Sequence, residues 1–171
     1  MLQNKCVFLD RDGVLNEERG EYTYKTEDFN LIQGVKEALQ LLKAHHYLLV
    51  VVTNQAGISK GLYTKQDMEA CHQKLQKEVY NLINAIYYAP LHPVVSHSLA
   101  RKPDSLMLER AIARYNIDPH QSWIVGDRLR DLEAGQKVGV KGILVGNAEP
   151  VPKGILYAAD LSRAAQLIMQ K

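Results

Sequence analysis

Cysteine is scarce: the 171 residues hold 2, Cys6 and Cys71, each inside an apolar stretch and far apart in the chain. That excludes a disulfide framework and fits a reducing compartment, and the apolar surroundings mark both as small core residues rather than nucleophiles. Proline and glycine are also few, at 6 and 11, too few for a collagen-like, linker or low-complexity chain. An excess of either charge is missing as well. Lys and Arg number 21 against 19 acids, a net charge of +2 with the signs interspersed. Nucleic-acid and membrane-surface binders concentrate basic charge, so neither partner is expected. The most apolar run, Tyr47 to Val52, falls far short of the roughly 20 residues of a membrane span. The segment Met1-Leu2-Gln3-Asn4-Lys5 has no signal-type apolar region, so the expected compartment is the cytoplasm.

What is present is a 46% hydrophobic chain with the length of one domain, and residues 1–171 are expected to fold as one unit. Short apolar runs alternate with amphipathic stretches, the signature of strand-helix-strand units and a parallel sheet. Cys6–Leu9, Leu48–Val52, Ile86–Tyr88, Ser122–Val125 and Gly142–Val145 read as buried strands because they are continuously apolar, and Ile155–Tyr157 as a weaker sixth. Val35, Ala38, Leu39 and Leu42 mark one helix face, and Met68, Cys71, Leu75, Val79 and Leu82 a longer one. Thr64-Lys65-Gln66-Asp67 supplies the longer helix with a capping box. Leu108, Ala111, Ile112 and Tyr115 mark a third helix, and Leu161, Ala165 and Ile168 a last one. The expected fold is α/β, a doubly wound, mostly parallel sheet with helices on both faces, which binds ligands beyond the carboxyl ends of its strands.

Three of those strands end in polar residues that are costly to bury unpaired: Asp10, then Thr53-Asn54, then Asp127. The segment Asp10-Arg11-Asp12-Gly13-Val14-Leu15-Asn16 sets two carboxylates two residues apart with a glycine to turn the backbone beside them, a nucleophile-plus-acid arrangement. Asp and Gly are also ordinary strand-to-loop punctuation. In Arg101-Lys102-Pro103 the proline holds Lys102 extended, so that its side chain can be aimed. Gly126-Asp127-Arg128-Leu129-Arg130-Asp131 adds two more acids, and carboxylates grouped with water and phosphate oxygens suit Mg²⁺. The acids Asp10, Asp12, Asp127 and Asp131 carry −4 and Arg101 with Lys102 returns +2, so a divalent cation is needed before a phosphate dianion can approach.

The order DRDGVLN, TN, RKP and GDRLRD resembles the four motifs of the haloacid dehalogenase superfamily of phosphatases. DRDGVLN, Val51–Ile58 and Ile86-Tyr87-Tyr88 leading to Arg101-Lys102-Pro103 further resemble the D-glycero-D-manno-heptose 1,7-bisphosphate phosphatases, with histidinol phosphatases as the nearest look-alikes. The resemblance implies a Mg²⁺-dependent phosphomonoesterase that removes the C7 phosphate. Asp10 is then the nucleophile and Asp12 the general acid and base. Mg²⁺ is held by Asp10, Asp127 and the backbone carbonyl of Asp12. Thr53, Lys102 and the backbone N–H of Asn54 or Arg11 bind the transferred phosphate. Asp131 orients Lys102 or a metal-bound water, Gln55 supports the site, and Arg101 and Arg128 grip a second phosphate.

The lengths between motifs leave no room for a cap domain, so residues 17–30 with Tyr22 and Tyr24, the Gln55–Tyr63 loop and residues 90–100 must select the substrate. The family's zinc loop is missing: Ala89-Pro90-Leu91 and Ser98-Leu99-Ala100 stand where its Cys and His ligands belong, and only His92 and His97 remain. A structural zinc is therefore not expected. The expected partner is a small phosphorylated sugar, and the expected state a monomer. A signalling receiver domain also places Asp, Thr and Lys at strand ends, but Asp12 would shorten the life of its aspartyl-phosphate.

Overall fold

Parallel pairing of the short apolar segments builds the whole molecule. The structure, a computed structural model, describes residues 3–146 and 151–171, so Met1 and Leu2 of the N-terminal segment lie outside it. Among the described residues the chain runs β1 (Cys6–Leu9), α1 (Val35–Ala44), β2 (Leu48–Asn54), α2 (Lys65–Glu78), β3 (Ala85–Ala89), α3 (Leu106–Tyr115), β4 (Trp123–Gly126), α4 (Leu129–Lys137), β5 (Lys141–Val145), β6 (Leu156–Ala158) and α5 (Leu161–Met169). The strands form one sheet in the order β3-β2-β1-β4-β5-β6, every neighbouring pair parallel. The chain winds one way from β1 and then the other way from β4, so the switch point, where such sheets bind ligands, lies between them.

Strand alternation divides the core. Val7, Leu9, Leu49 and Val51 face α1, α2 and α5, whereas Cys6, Phe8, Val50 and Val52 face α3 and α4. Both cysteines and Trp123 are buried in these layers. α2 starts at the expected box: Thr64 Oγ1 accepts from Asp67 N at 3.2 Å, and Asp67 Oδ2 accepts from Thr64 N at 2.8 Å. His45 ends α1, its Nδ1 lying 2.9 Å from the Leu41 carbonyl.

Three details differ from the sequence expectation. α2 stops at Glu78, because Tyr80 and Asn81 turn into the left-handed region (φ 53° and 56°), so Val79 and Leu82 pack from the turn rather than from the helix. β3 was expected to be buried, but it is an edge strand and Ile86 to Tyr88 are half-buried. α4 is an unexpected helix. Its first turn carries the charged GDRLRD residues, and its buried face is made of Leu132, Ala134 and Gly135, too small an apolar stripe to register as periodicity. Between β1 and α1 the described segment holds isolated bridges of Asn16 with Asp12 and Leu31 and a short 3-10 turn at Thr26–Asp28, with no cap evident there.

Gly135 is where α4 meets β4: a Cβ there would lie 2.5 Å from Ile124 Cγ2 and 3.3 Å from the Val140 carbonyl. At an exposed helical position Gly→Ala stabilises by about 1 kcal/mol. Gly135→Ala is expected to do the opposite, lowering urea-denaturation stability by about 1–3 kcal/mol through overpacking.

Candidate active site

The carboxyl ends of β1, β2 and β4 converge on the amine of Lys102. That side chain is buried, and its Nζ lies 2.9 Å from Asp10 Oδ1 and 2.7 Å from Asp131 Oδ1 while donating to the Val52 carbonyl at 2.7 Å. Burial alone would lower its pKa, but Asp10 and Asp131 more than offset this and hold it above its ordinary value, so it stays charged. Asn54, at the end of β2, fixes the loop that delivers the lysine. Its Oδ1 accepts from Lys102 N at 3.0 Å and its Nδ2 donates to the Lys102 carbonyl at 3.1 Å. Asn54 was expected to offer a backbone N–H to phosphate; its side chain, in addition, positions Lys102.

Asp10, Asp127 and Asp131 bring carboxylate oxygens within 4.8 Å of one another, the only such cluster of three potential ligands among the described residues. The absence of a side chain at Gly13 (φ +80°) makes this possible, since a Cβ there would sit 2.6 Å from Asp127 Oδ2. Burial, with Asp131 close by, pushes the Asp10 carboxyl up to about 7 although Lys102 pulls it down. Burial and Asp131 likewise push Asp127 up to about 6. Three carboxylates beside one ammonium leave two uncompensated negative charges, and an all-oxygen donor set of that charge fits a hard divalent cation such as Mg²⁺. Asp131 does join the cluster, while its Oδ2 accepts from Arg128 N at 3.1 Å and starts α4. Asp12, assigned to the metal through its backbone carbonyl, keeps its side chain out of the cluster.

The Asp12 carboxylate instead faces Arg11, whose Nη2 lies 2.9 Å from Oδ1. Asn16 Nδ2 donates to the same oxygen at 2.9 Å, and Gln55 Nε2 donates to Oδ2 at 3.3 Å and to Thr53 Oγ1 at 2.9 Å. Accepting from Gln55 leaves the Thr53 hydroxyl proton as a donor. The Arg11 backbone N–H, expected to meet phosphate, donates to Asp10 Oδ1 at 2.8 Å. Asn16 and Tyr63, whose hydroxyl donates to Gln55 Oε1 at 2.6 Å, were not singled out in the sequence. Asn16 lay inside the DRDGVLN segment, but nothing marks Tyr63.

A cleft of about 380 Å³ opens above these groups, lined by Asp10, Asp12, Tyr22, Asn54, Asp127 and Arg128, with Arg130 also on its wall. Arg128 Nε lies 3.2 Å from Asp127 Oδ2, so its charge is partly spent within the cluster. Arg101 carries a buried Nη1 with no hydrogen-bond partner. Burial and the nearby Arg130 lower its pKa. Residues 90–100 are held by hydrogen bonds: His92 N donates to Ser59 Oγ at 2.9 Å, and Val95 N donates to the His92 carbonyl at 2.8 Å.

The raised carboxyls fix a sign. Asp10 and Asp127 bind protons more tightly in the fold than the ordinary 3.8, so the stability they contribute is complete below that value and is lost as pH rises through about 6 and about 7. Chelator-treated protein should lose on the order of 2–4 kcal/mol of stability across this window, with excess Mg²⁺ removing most of the loss. A melting temperature that stays flat or rises between those pH values without metal contradicts the geometry.

Comparison with known proteins gives the same picture. A family profile described as "HAD-hyrolase-like" matches residues 99–164. The D-glycero-beta-D-manno-heptose-1,7-bisphosphate 7-phosphatase of Haemophilus ducreyi is 41% identical over 174 residues, covering 96% of this chain and 92% of that protein. The D-glycero-D-manno-heptose-1,7-bisphosphate 7-phosphatase of Chlorobaculum tepidum is 37% identical, covering 82% and 78%. Among solved structures, D,D-heptose 1,7-bisphosphate phosphatase from B. bronchiseptica, complexed with magnesium and phosphate, superposes with a TM-score of 0.88 at 29% identity, covering 97% of this chain and 98% of that one. With identity at this level along nearly the whole length, the chain belongs to the haloacid dehalogenase superfamily of phosphatases, in the family of these heptose-bisphosphate enzymes.

Proposed function

We propose that the chain removes the C7 phosphate of D-glycero-D-manno-heptose 1,7-bisphosphate by way of a phosphoryl group carried on Asp10. The observation that carries this reading is the setting of Asp10: a carboxylate at a strand end, 2.9 Å from a buried lysine, beside two further acids. The relatives' shared name supports the substrate.

Asp10 attacks phosphorus in line, forming a P–O bond as the bond to the sugar oxygen breaks. Asp12 gives its proton to that departing oxygen. Water then attacks the phosphoryl group and gives a proton to Asp12, and the Asp10–phosphorus bond breaks to release phosphate and restore both carboxyls. Lys102 holds Asp10 against rotation and, with the Thr53 hydroxyl, offers positive charge and a donor to the phosphoryl oxygens. Asp10 and Asp127 would hold Mg²⁺, with Asp131 beside them. When bound, the cation neutralises the two excess charges of the site and the charge developing on the phosphoryl group. Arg128 on the cleft wall, with Arg101 behind it, suits the second phosphate, since a guanidinium binds phosphate in a fork.

Phosphate release from each anomer of heptose 1,7-bisphosphate, beside histidinol phosphate, tests the reading. With Mg²⁺, one heptose anomer should be strongly preferred, and Asp10→Asn should lower the rate on the order of 10⁴-fold or more. Preference for histidinol phosphate would overturn the substrate and leave the chemistry. Sustained activity in Asp10→Asn would overturn the nucleophile.

A further inference from the structure

A carboxyl that moves a proton needs one oxygen held and the other available, and the surroundings of Asp12 supply that asymmetry. Oδ1 accepts from Arg11 Nη2 at 2.9 Å, from Arg11 Nε at 3.3 Å and from Asn16 Nδ2 at 2.9 Å. Oδ2 has two contacts against three and none as short as 2.9 Å: it lies 3.1 Å from Arg11 Nη2 and 3.3 Å from Gln55 Nε2. The carboxyl is gripped by Oδ1 and works with Oδ2.

Both residues that set this direction are braced by residues 22–29, outside the catalytic strand ends. Arg11 is fully buried, unusual for an arginine. Its Nη2 donates to the Thr23 carbonyl at 2.7 Å, and its guanidinium lies 5.6 Å from the centre of the Phe29 ring. Its Nη1 is 3.5 Å from Nε2 of His72, a histidine that burial and Arg11 keep neutral and therefore able to accept. Gln55 takes its orientation from Tyr63, which stacks on Tyr24 with ring centres 5.1 Å apart and planes 6° from parallel. Gly57 leaves room for that ring, since a Cβ there would meet Tyr63 Cε1 at 2.1 Å.

We infer that Arg11 and Gln55 are positioning residues for Asp12, and that the 22–29 segment, through Thr23, Tyr24 and Phe29, aims Asp12 Oδ2 at the leaving oxygen. The inference rests on the acid role proposed above for Asp12. As the bond from phosphorus to the leaving oxygen breaks, the proton on Oδ2 passes to that oxygen. A sugar alkoxide needs this proton, whereas a dinitrophenolate departs without one. Misaiming Asp12 therefore slows only the first kind of substrate.

The test is kcat/KM for heptose 1,7-bisphosphate and for 2,4-dinitrophenyl phosphate, which reads the step that breaks the leaving-group bond. Tyr63→Phe, which removes one hydroxyl, should lose roughly tenfold on the sugar and little on the dinitrophenyl ester. Arg11→Lys, which keeps the charge and loses the fork, should lose on the order of 10²-fold on the sugar with a far smaller loss on the ester. Equal losses on both substrates, or none on either, overturn the inference. If Arg11→Lys does not fold, Tyr63→Phe decides by the same criterion. Asp12→Asn is the benchmark: if it too shows no leaving-group dependence, it is the acid role that fails. A wild type that releases nothing from the heptose overturns the substrate instead, and phenyl phosphate then replaces the sugar in the same comparison.

Discussion

A single buried ammonium organises this molecule. Removing a lysine from water costs several kcal/mol unless its charge is met, and Lys102 is met from three strand ends at once: Asp10 of β1, the Val52 carbonyl of β2 and Asp131 beyond β4. Each partner has its own reason to need the lysine. Asp10 and Asp131 are themselves buried acids, and the charge of Asp131 makes the Asp10 carboxyl harder to ionise. The ion triad ties the switch point of the sheet together, and the Asn54 clamp on the lysine's backbone adds a second tie to the carboxyl end of β2. What looks like a catalytic lysine is also the keystone of the strand ends, because both roles need the same fixed charge in the same place.

The charge arithmetic of the sequence and the ion pairs of the structure agree on a negative excess, reached through partly different residues. It sets four acids against Arg101 and Lys102. In the structure Asp12 is answered by Arg11, a residue first valued for its backbone, and Arg128 leans on Asp127. What remains at the centre is Asp10, Asp127, Asp131 and Lys102, still net negative with the exposed Arg128 at its rim. The negative excess that would suit a divalent cation is therefore a local property of three carboxylates held within 4.8 Å of one another, and not a sum over the neighbourhood.

Legibility in the sequence followed burial on both faces. β1, β2, β4 and β5 are central strands, so both of their faces must be apolar, and their runs stand out. β3 and β6 are edges and dilute the signal. α4 was hidden because its first turn carries site charges and its buried face is small enough to lie against β4 through Gly135. Among the site residues, Asp10, Lys102, Asp127 and Asp131 were visible because their motifs DRDGVLN, RKP and GDRLRD occur together and in order, although each alone is ordinary loop punctuation. The surroundings of Asp12 were not. Tyr63 reaches Gln55, and Phe29 supports Arg11, only through loop conformations that no short-range pattern encodes.

The same distribution of charge gives the cleft a direction. Its floor carries the clustered acids, and its wall carries Arg128 and Arg130, with Arg101 nearby holding a buried guanidinium nitrogen that has no hydrogen-bond partner. A phosphate can reach the floor only with the cation, whereas the arginines attract a phosphate without one. On the proposed reading, a bisphosphate is drawn from both ends and settles with one phosphate at Asp10 and the other against the wall, while a monophosphate has one anchor and must choose. With no cap observed over the sheet among the described residues, this polarity does for substrate orientation what enclosure does in other folds. It also predicts that selectivity between the two phosphates of one sugar resides in the distance from Asp10 to the arginines rather than in the chemistry at phosphorus, which is the same for both.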